Sequence, residues 1–183
     1  MPVTQLDPIA ALIIIDLQKG IVAIPTTPTT SEVVARSAEL ASAFRKRGLP
    51  VVLVNVTAAA PGRTDAGPRN FAFPPDWTDL VPELNQQPSD YLISKQRPGA
   101  FIGTTLHHYL QEQGVTQIFL TGVATSNGVE ATARSAFDHG YNVVLVTDAM
   151  ADRSPEAHQY CIEKVLPRLG ETDTTENILN LML

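Results

Sequence analysis

The fold is decided by the stretch Leu120-Thr-Gly-Val-Ala-Thr-Ser-Asn-Gly-Val-Glu-Ala-Thr-Ala-Arg-Ser-Ala-Phe137, which reads as a strand end, a sharp turn and the first turns of a helix. The stretch begins at the end of an apolar run, residues 118–120. After the turn, Val129, Ala133 and Ala136 recur at helical spacing. A strand that leads directly into a helix is typical of a βαβ unit. Turns of this kind are also where a nucleophile is usually presented.

The rest of the chain repeats this alternation of strand and helix. Apolar runs predict strands at 9–15, 51–56, 143–146 and, less clearly, 91–94. Helical spacing predicts helices at 31–47, 102–110, 129–137, 154–166 and after Thr174. Because continuous apolar strands are buried on both faces, the pattern predicts a doubly wound α/β fold with a mostly parallel sheet.

Composition limits the kinds of protein this chain can be. Its 183 residues, 44% hydrophobic and 17% charged, predict a single globular domain over residues 1–183. The net charge of −6 argues against nucleic acid or an anionic membrane surface as a partner. The sequence contains neither a signal-like segment nor a long apolar run, and its one cysteine, Cys161, excludes an intrachain disulfide. These features predict a cytoplasmic protein.

Three polar features follow predicted strands and are expected at the carboxyl edge of the sheet, where open α/β sheets bind ligands. They are Asp16, Lys95 and the turn from Gly122 to Gly128. Each also has an ordinary structural interpretation, as a turn residue, a solvated lysine and a common α/β turn. The residues alone leave both interpretations open.

Longer motifs around these features carry a family resemblance over nearly the whole chain. Ile14-Ile-Asp-Leu-Gln18, Ser94-Lys-Gln-Arg-Pro-Gly-Ala-Phe101 and Thr121-Gly-Val-Ala-Thr125, followed by Val129-Glu-Ala-Thr-Ala-Arg-Ser-Ala-Phe137, resemble the isochorismatase-like (cysteine hydrolase) family. The resemblance implies a three-layer α/β/α fold around a six-stranded sheet. It also implies catalytic roles for Asp16 and Lys95, and a cis peptide bond between Val123 and Ala124.

The chain departs from most of that family at Gly128, where relatives such as nicotinamidases place the nucleophilic cysteine. Isochorismatases proper resemble this chain in the departure too, since they hydrolyse a vinyl ether without a nucleophilic side chain. By that resemblance a protonated Asp16 supplies the proton and Lys95 holds a carboxylate. The expected substrate-binding residues are Gln18, Arg97 and the turn residues Ala124, Thr125, Ser126 and Asn127.

Other residues offer weaker sites. Cys161 lies on a predicted apolar helix stripe, and Ser126 has no histidine close in sequence to activate it. His107 and His108 are adjacent and cannot face one ligand, and His139 and His158 are isolated in sequence, so neither a metal nor a cofactor is expected. Arg63 and Arg69 are further candidates for the rim of the site, although Arg69 is better explained as a surface charge.

The proline-rich segment 57–87 has no clear period and contains Phe71, Phe73 and Trp77. We interpret these aromatic residues as a contact shared between a lid over the site and a subunit interface, in a homo-oligomer such as a dimer or tetramer. A small molecule is the expected ligand. Three functions therefore remain open: a vinyl-ether hydrolase, a hydrolase of another small acid, ester or amide, and a non-catalytic binding protein.

Overall fold

The computed structural model describes residues 2–65, 67 and 73–183, so the predictions for Arg69 and Phe71 lie outside the described residues. Its six strands are Ala10–Ile15 (β1), Val51–Val56 (β2), Tyr91–Lys95 (β3), Gln117–Val123 (β4), Asn142–Ala151 (β5) and Glu171–Asp173 (β6). They form one sheet in the order β3-β2-β1-β4-β5-β6, and every neighbouring pair is parallel. The expected six-stranded α/β fold is confirmed.

Helices cover both faces of the sheet. They are Lys19–Val22 (α1), Thr30–Lys46 (α2), Leu106–Glu112 (α3), Glu130–Asp138 (α4), Pro155–Tyr160 (α5) and Thr175–Leu181 (α6). Side chains of α2 and α6 pack on one face, and α3, α4 and the turn that follows α5 pack on the other. The capping box of Thr29 and Glu32 fixes the start of α2, the longest helix.

The predicted helices differ from the structure in two details. The helix expected from residue 102 begins at Leu106, and Ile102 is 55% exposed because the chain first passes through turns that include Gly103 at φ 70°. Phe137, the last residue of the predicted helix 129–137, does not join the apolar stripe of that helix: it lies near the end of α4 with 52% of its surface exposed. Among the described residues, no helix is long and apolar enough to cross a membrane.

Candidate active site

Asp16 follows β1 directly and is 6% exposed. Its φ of 54° is in the left-handed region, which side chains other than glycine rarely adopt, although aspartate tolerates it better than most. The backbone is held there by a hydrogen bond from Asp16 N–H to Val54 O, 2.9 Å, on the neighbouring strand. The end of β1 therefore stores local strain in order to present one carboxyl group.

Lys95 is the last residue of β3, two strands away from β1, and is 2% exposed. Its Nζ donates to Asp16 Oδ2 over 2.8 Å. A buried lysine without an acceptor would be costly, so this contact fixes both side chains in one geometry. The structure thus brings together the carboxylate and the ammonium group that the sequence placed at the same sheet edge.

The Asp16 carboxyl group has an unusually high pKa. Burial raises its pKa to about 6, although the charge of Lys95 and the hydrogen bond from it act in the opposite direction. Burial prevails because desolvation penalises the ionised form more than one cation compensates. Asp16 Oδ1 is buried and has no hydrogen-bond partner among the described residues. Oδ1, which Lys95 does not contact, is therefore the oxygen available to carry the carboxyl proton.

The turn after β4 begins with a cis peptide bond between Val123 and Ala124, as the resemblance implied. It continues as a π-helical turn over Thr125–Val129, a geometry that occurs often at functional sites. Before it, Gly122 has a φ of 117°, and a Cβ there would meet Ile15 O at 2.0 Å. Only glycine allows β4 to pass this close to the end of β1.

Gly128 lies inside this turn and faces the carboxyl group. A Cβ built on Gly128 would lie 3.4 Å from Asp16 Oδ2 and 3.1 Å from Ile15 Cγ2. The position therefore accepts a small side chain after a slight shift of the isoleucine methyl group, and that side chain would touch Asp16. Without one, the space beside the carboxyl group is open to a ligand.

These groups share a cavity of about 1000 Å³ at the carboxyl edge of the sheet. Six predicted site residues line it: Asp16, Lys95, Arg97, Ala124, Asn127 and Gly128. The lining also contains Arg153, which the sequence analysis missed, and it contains no aspartate or glutamate other than Asp16 among the described residues. A single carboxylate thus faces three cationic side chains, so the cavity favours an anionic ligand.

Three predicted substrate-binding residues do not line the cavity. Gln18 is fully buried, and its amide bonds the backbone of Val56 and Trp77. The Thr125 hydroxyl pairs with His158 Nδ1 at 2.8 Å, and the Ser126 hydroxyl donates to Asp152 Oδ2 at 2.7 Å. Their side chains bind other parts of the protein.

The backbone N–H groups of the turn were expected to bind an anion, and two of them are already paired. Ser126 N–H donates to Asp152 Oδ2 over 2.8 Å, and Asn127 N–H donates to Ala124 O over 3.0 Å. These two N–H groups are therefore not available to an anion, whereas Arg97 and Arg153 line the cavity with cationic groups. Of the other arginine candidates, Arg63 is exposed and does not line the cavity.

Cys161 is buried in the segment after α5 and does not line the cavity. Burial, together with the nearby Glu130 carboxylate, raises the pKa of its thiol to about 11. The thiolate that attacks a carbonyl is therefore disfavoured at neutral pH. This agrees with the interpretation of Cys161 as a structural residue.

The histidines lie in separate parts of the structure or pair with other side chains. His139, expected to be isolated, stacks on His107 with ring centroids 3.9 Å apart, and His158 is buried against Thr125. Within the part of the chain that the structure describes, no group of three or more His, Cys, Asp and Glu side chains is arranged to hold a metal ion.

Aromatic residues of the segment 57–87 form a wall of the cavity. Phe73 and Trp77 both line it, and their rings stack with centroids 3.6 Å apart. The wall is held to α1 by a backbone bond from Gly20 N–H to Trp77 O and by ion pairs of Lys19 with Asp76 and Asp79. Phe73 and Trp77 therefore lie beside the cavity, while a role as a lid and a subunit contact both stay predictions.

An open parallel sheet with a ligand-sized cavity beyond its carboxyl edge is the arrangement in which α/β proteins commonly bind small molecules. The isochorismatase domain model matches residues 10–177. YwoC of Bacillus subtilis, an uncharacterised isochorismatase family protein, is 40% identical over 176 residues, covering 92% of each chain. YecD of Escherichia coli, also uncharacterised, is 38% identical over 179 residues, covering 94% of this chain and 95% of YecD.

A solved structure of an isochorismatase family protein from Burkholderia thailandensis has a TM-score of 0.94 with this chain. The two are 40% identical, and the match covers 97% of each. The chain belongs to the isochorismatase family of hydrolases.

Proposed function

We propose that this protein hydrolyses the vinyl ether of a small, carboxylate-bearing substrate of the isochorismate type, with Asp16 as the proton donor and without a covalent intermediate. The observation that carries the proposal is the Asp16 carboxyl group, whose pKa is raised to about 6 by burial and whose Oδ1 is unbonded among the described residues. A general acid works best when its pKa lies near the working pH.

The lining of the cavity supports a route without a nucleophile. Among its described residues there is no cysteine or serine, and the one thiol of the chain, Cys161, lies elsewhere. We interpret Gly128 as the family's nucleophile position without its side chain, because a Cβ there would lie 3.4 Å from Asp16 Oδ2. The missing side chain leaves room for substrate beside the acid.

The proposed reaction begins when Asp16 gives its proton to the terminal CH₂ carbon of the vinyl ether, which creates an oxocarbenium ion. Water bonds to the cationic carbon and returns one proton to the Asp16 carboxylate. The resulting hemiketal transfers its hydroxyl proton to the ether oxygen as the carbon–oxygen bond breaks. The products are pyruvate and an alcohol, and Asp16 ends in its starting state.

The cationic side chains have a separate task in this proposal. Lys95, Arg97 and Arg153 line the cavity and offset the charge of a carboxylate substrate. Arg153 has no hydrogen bond or ion pair within the described part of the chain, so its guanidinium group is available for bidentate binding of a carboxylate. Phe73 and Trp77 provide an apolar surface for the body of the substrate.

A substrate panel tests the proposal. We expect the purified protein to release pyruvate from isochorismate and to leave a parallel set of small amides and esters unchanged. Cys161→Ala is the matched control and should retain the activity, because Cys161 lies outside the cavity. Hydrolysis of amides or esters without pyruvate release would assign Asp16 to activating water instead. Inactivity on every substrate, with isochorismate still bound, would favour the non-catalytic role.

A further inference from the structure

We infer that Asp152 is a positioning residue, whose carboxylate holds the Thr125–Val129 turn so that Gly128 faces Asp16. This inference rests on the proposed function, because it takes the cavity as the place of reaction. It concerns a residue that neither lines the cavity nor reaches the reacting atoms.

The Asp152 carboxylate collects three donors from two elements. Oδ2 accepts both the N–H and the O–H of Ser126, at 2.8 and 2.7 Å. Oδ1 accepts the N–H of Ser154, 3.2 Å away, where α5 begins. Because Asp152 is only 5% exposed, water does not substitute easily for these bonds. All three partners donate, so both carboxylate oxygens act as acceptors here.

The backbone of Asp152 also bonds to a third segment, the one that contains Thr27. Its N–H and C=O pair with Thr27 O and Thr27 N–H, at 3.1 and 2.8 Å. The residues beside this pair, Thr26 and Arg153, both line the cavity. One buried residue thus fixes the turn that carries Gly128, the segment that carries Thr26, and the arginine available for an anion.

The turn is sensitive to this support because its contacts with Asp16 are close. A Cβ on Gly128 would lie 3.4 Å from Asp16 Oδ2, and this oxygen lies 2.8 Å from Lys95 Nζ. A displacement of about 1 Å in such a site costs roughly 100-fold in rate. Loss of the Asp152 bonds should therefore affect chemistry at Gly128 while the sheet stays intact.

The strand that ends just before Asp152, β5, provides a control in Asp148. Its Oδ1 accepts the N–H and the O–H of Thr175, at 2.8 and 2.9 Å, near the start of α6. Its Oδ2 also pairs with Arg36 Nε, 3.5 Å away, so the carboxylate ties two elements together as that of Asp152 does. Neither Asp148 nor Thr175 lines the cavity. Asp148→Asn therefore loses a comparable tether without disturbing the turn that contains Gly128.

The experiment places a chemical reporter in the turn and needs no substrate. In a Gly128→Cys, Cys161→Ala background, the introduced thiol is the only one, and Asp16 and Lys95 are placed to accept its proton and stabilise the thiolate. We expect Asp152→Asn to slow its alkylation by iodoacetamide at pH 7 roughly tenfold and to shift the pH profile of alkylation, since misplacement separates the thiol from both groups. Asp148→Asn should leave both unchanged.

The inference would be overturned if Asp152→Asn left the alkylation rate within about twofold of the background and its pH profile unshifted. An equal effect of Asp148→Asn would overturn it too. If Asp152→Asn fails to fold, Ser126→Ala answers the question, because it removes one of the two bonds to Oδ2 and should slow alkylation by a smaller factor. Since no readout depends on pyruvate release, failure of the proposed reaction and failure of this inference are distinguishable.

Discussion

Asp16→Asn is expected to lower the rate of pyruvate release at least ~100-fold, the usual contribution of a positioned general acid. Asparagine fills nearly the same space, and its amide oxygen can accept the bond that Lys95 Nζ now donates to Asp16 Oδ2 over 2.8 Å. It has no proton to release at neutral pH. The loss should therefore fall on kcat, with KM changed much less.

A control must separate this loss from instability, because the substitution leaves Lys95 without its counter-charge. Rates should be expressed per folded protein, with the folded fraction taken from circular dichroism and thermal unfolding. Asp173→Asn is the matched variant, since Asp173 is a buried aspartate at the end of β6 that does not line the cavity. Nearly full activity in a folded Asp16→Asn protein would remove Asp16 from the mechanism.

Lys95→Met should have the largest effect on stability. Methionine keeps an unbranched apolar chain but leaves the Asp16 carboxylate buried without a cation, and breaking a buried pair costs ~3–5 kcal/mol. This loss of stability depends on pH. In the wild-type protein the charge of Lys95 lowers the pKa of Asp16, so removing that charge raises the pKa further above 6. A neutral Asp16 needs no cation, so the cost should be small at pH 5.

The direction of this pH dependence follows from proton linkage. A carboxyl group whose pKa is higher in the folded protein than in the unfolded chain binds its proton more tightly when folded, so stability falls as pH rises through that window. The deficit of Lys95→Met relative to wild type should therefore grow from pH 5 to pH 8 in urea unfolding. Lys19→Met, at an exposed ion pair, serves as the control and should show little change. A deficit that shrinks as pH rises would contradict the assigned coupling.

The sequence predicted that Asp16 and Lys95 share one edge of the sheet, because strand ends are visible in an apolar pattern. Asp16 interrupts an isoleucine-rich run, and Lys95 follows a weaker one, so their common edge followed from parallel topology. Their contact at 2.8 Å and the raised pKa of Asp16 could be seen only in the structure, since both depend on how β1, β2 and β3 pair within the sheet.

Arg153 was missed because the predicted strand 143–146 ended too early. β5 continues through the polar residues Thr147 and Asp148 to Ala151, held by its pairing with β4. Arg153 therefore follows a strand end that apolar periodicity does not show. The short strand β6, Glu171–Asp173, has no apolar run at all and exists because it pairs with β5.

Gln18 and Ser126 illustrate the opposite error. Both are near the site in sequence, but their polar groups bind Val56, Trp77 and Asp152 instead of facing the cavity. Proximity in sequence indicates which element a residue belongs to. It does not reveal which tertiary partner binds the side chain.

In the proposed reaction the protonated form of Asp16 is the active form, and the pH dependence of pyruvate release from isochorismate tests this most directly. With the pKa of Asp16 raised to about 6 by burial, kcat/KM should be high at acidic pH and fall as pH rises through about 6. In Lys95→Met, any residual activity should decline at higher pH than in wild type. A rate that instead rises with pH through this range would show that the carboxylate acts as a base, and would contradict the account.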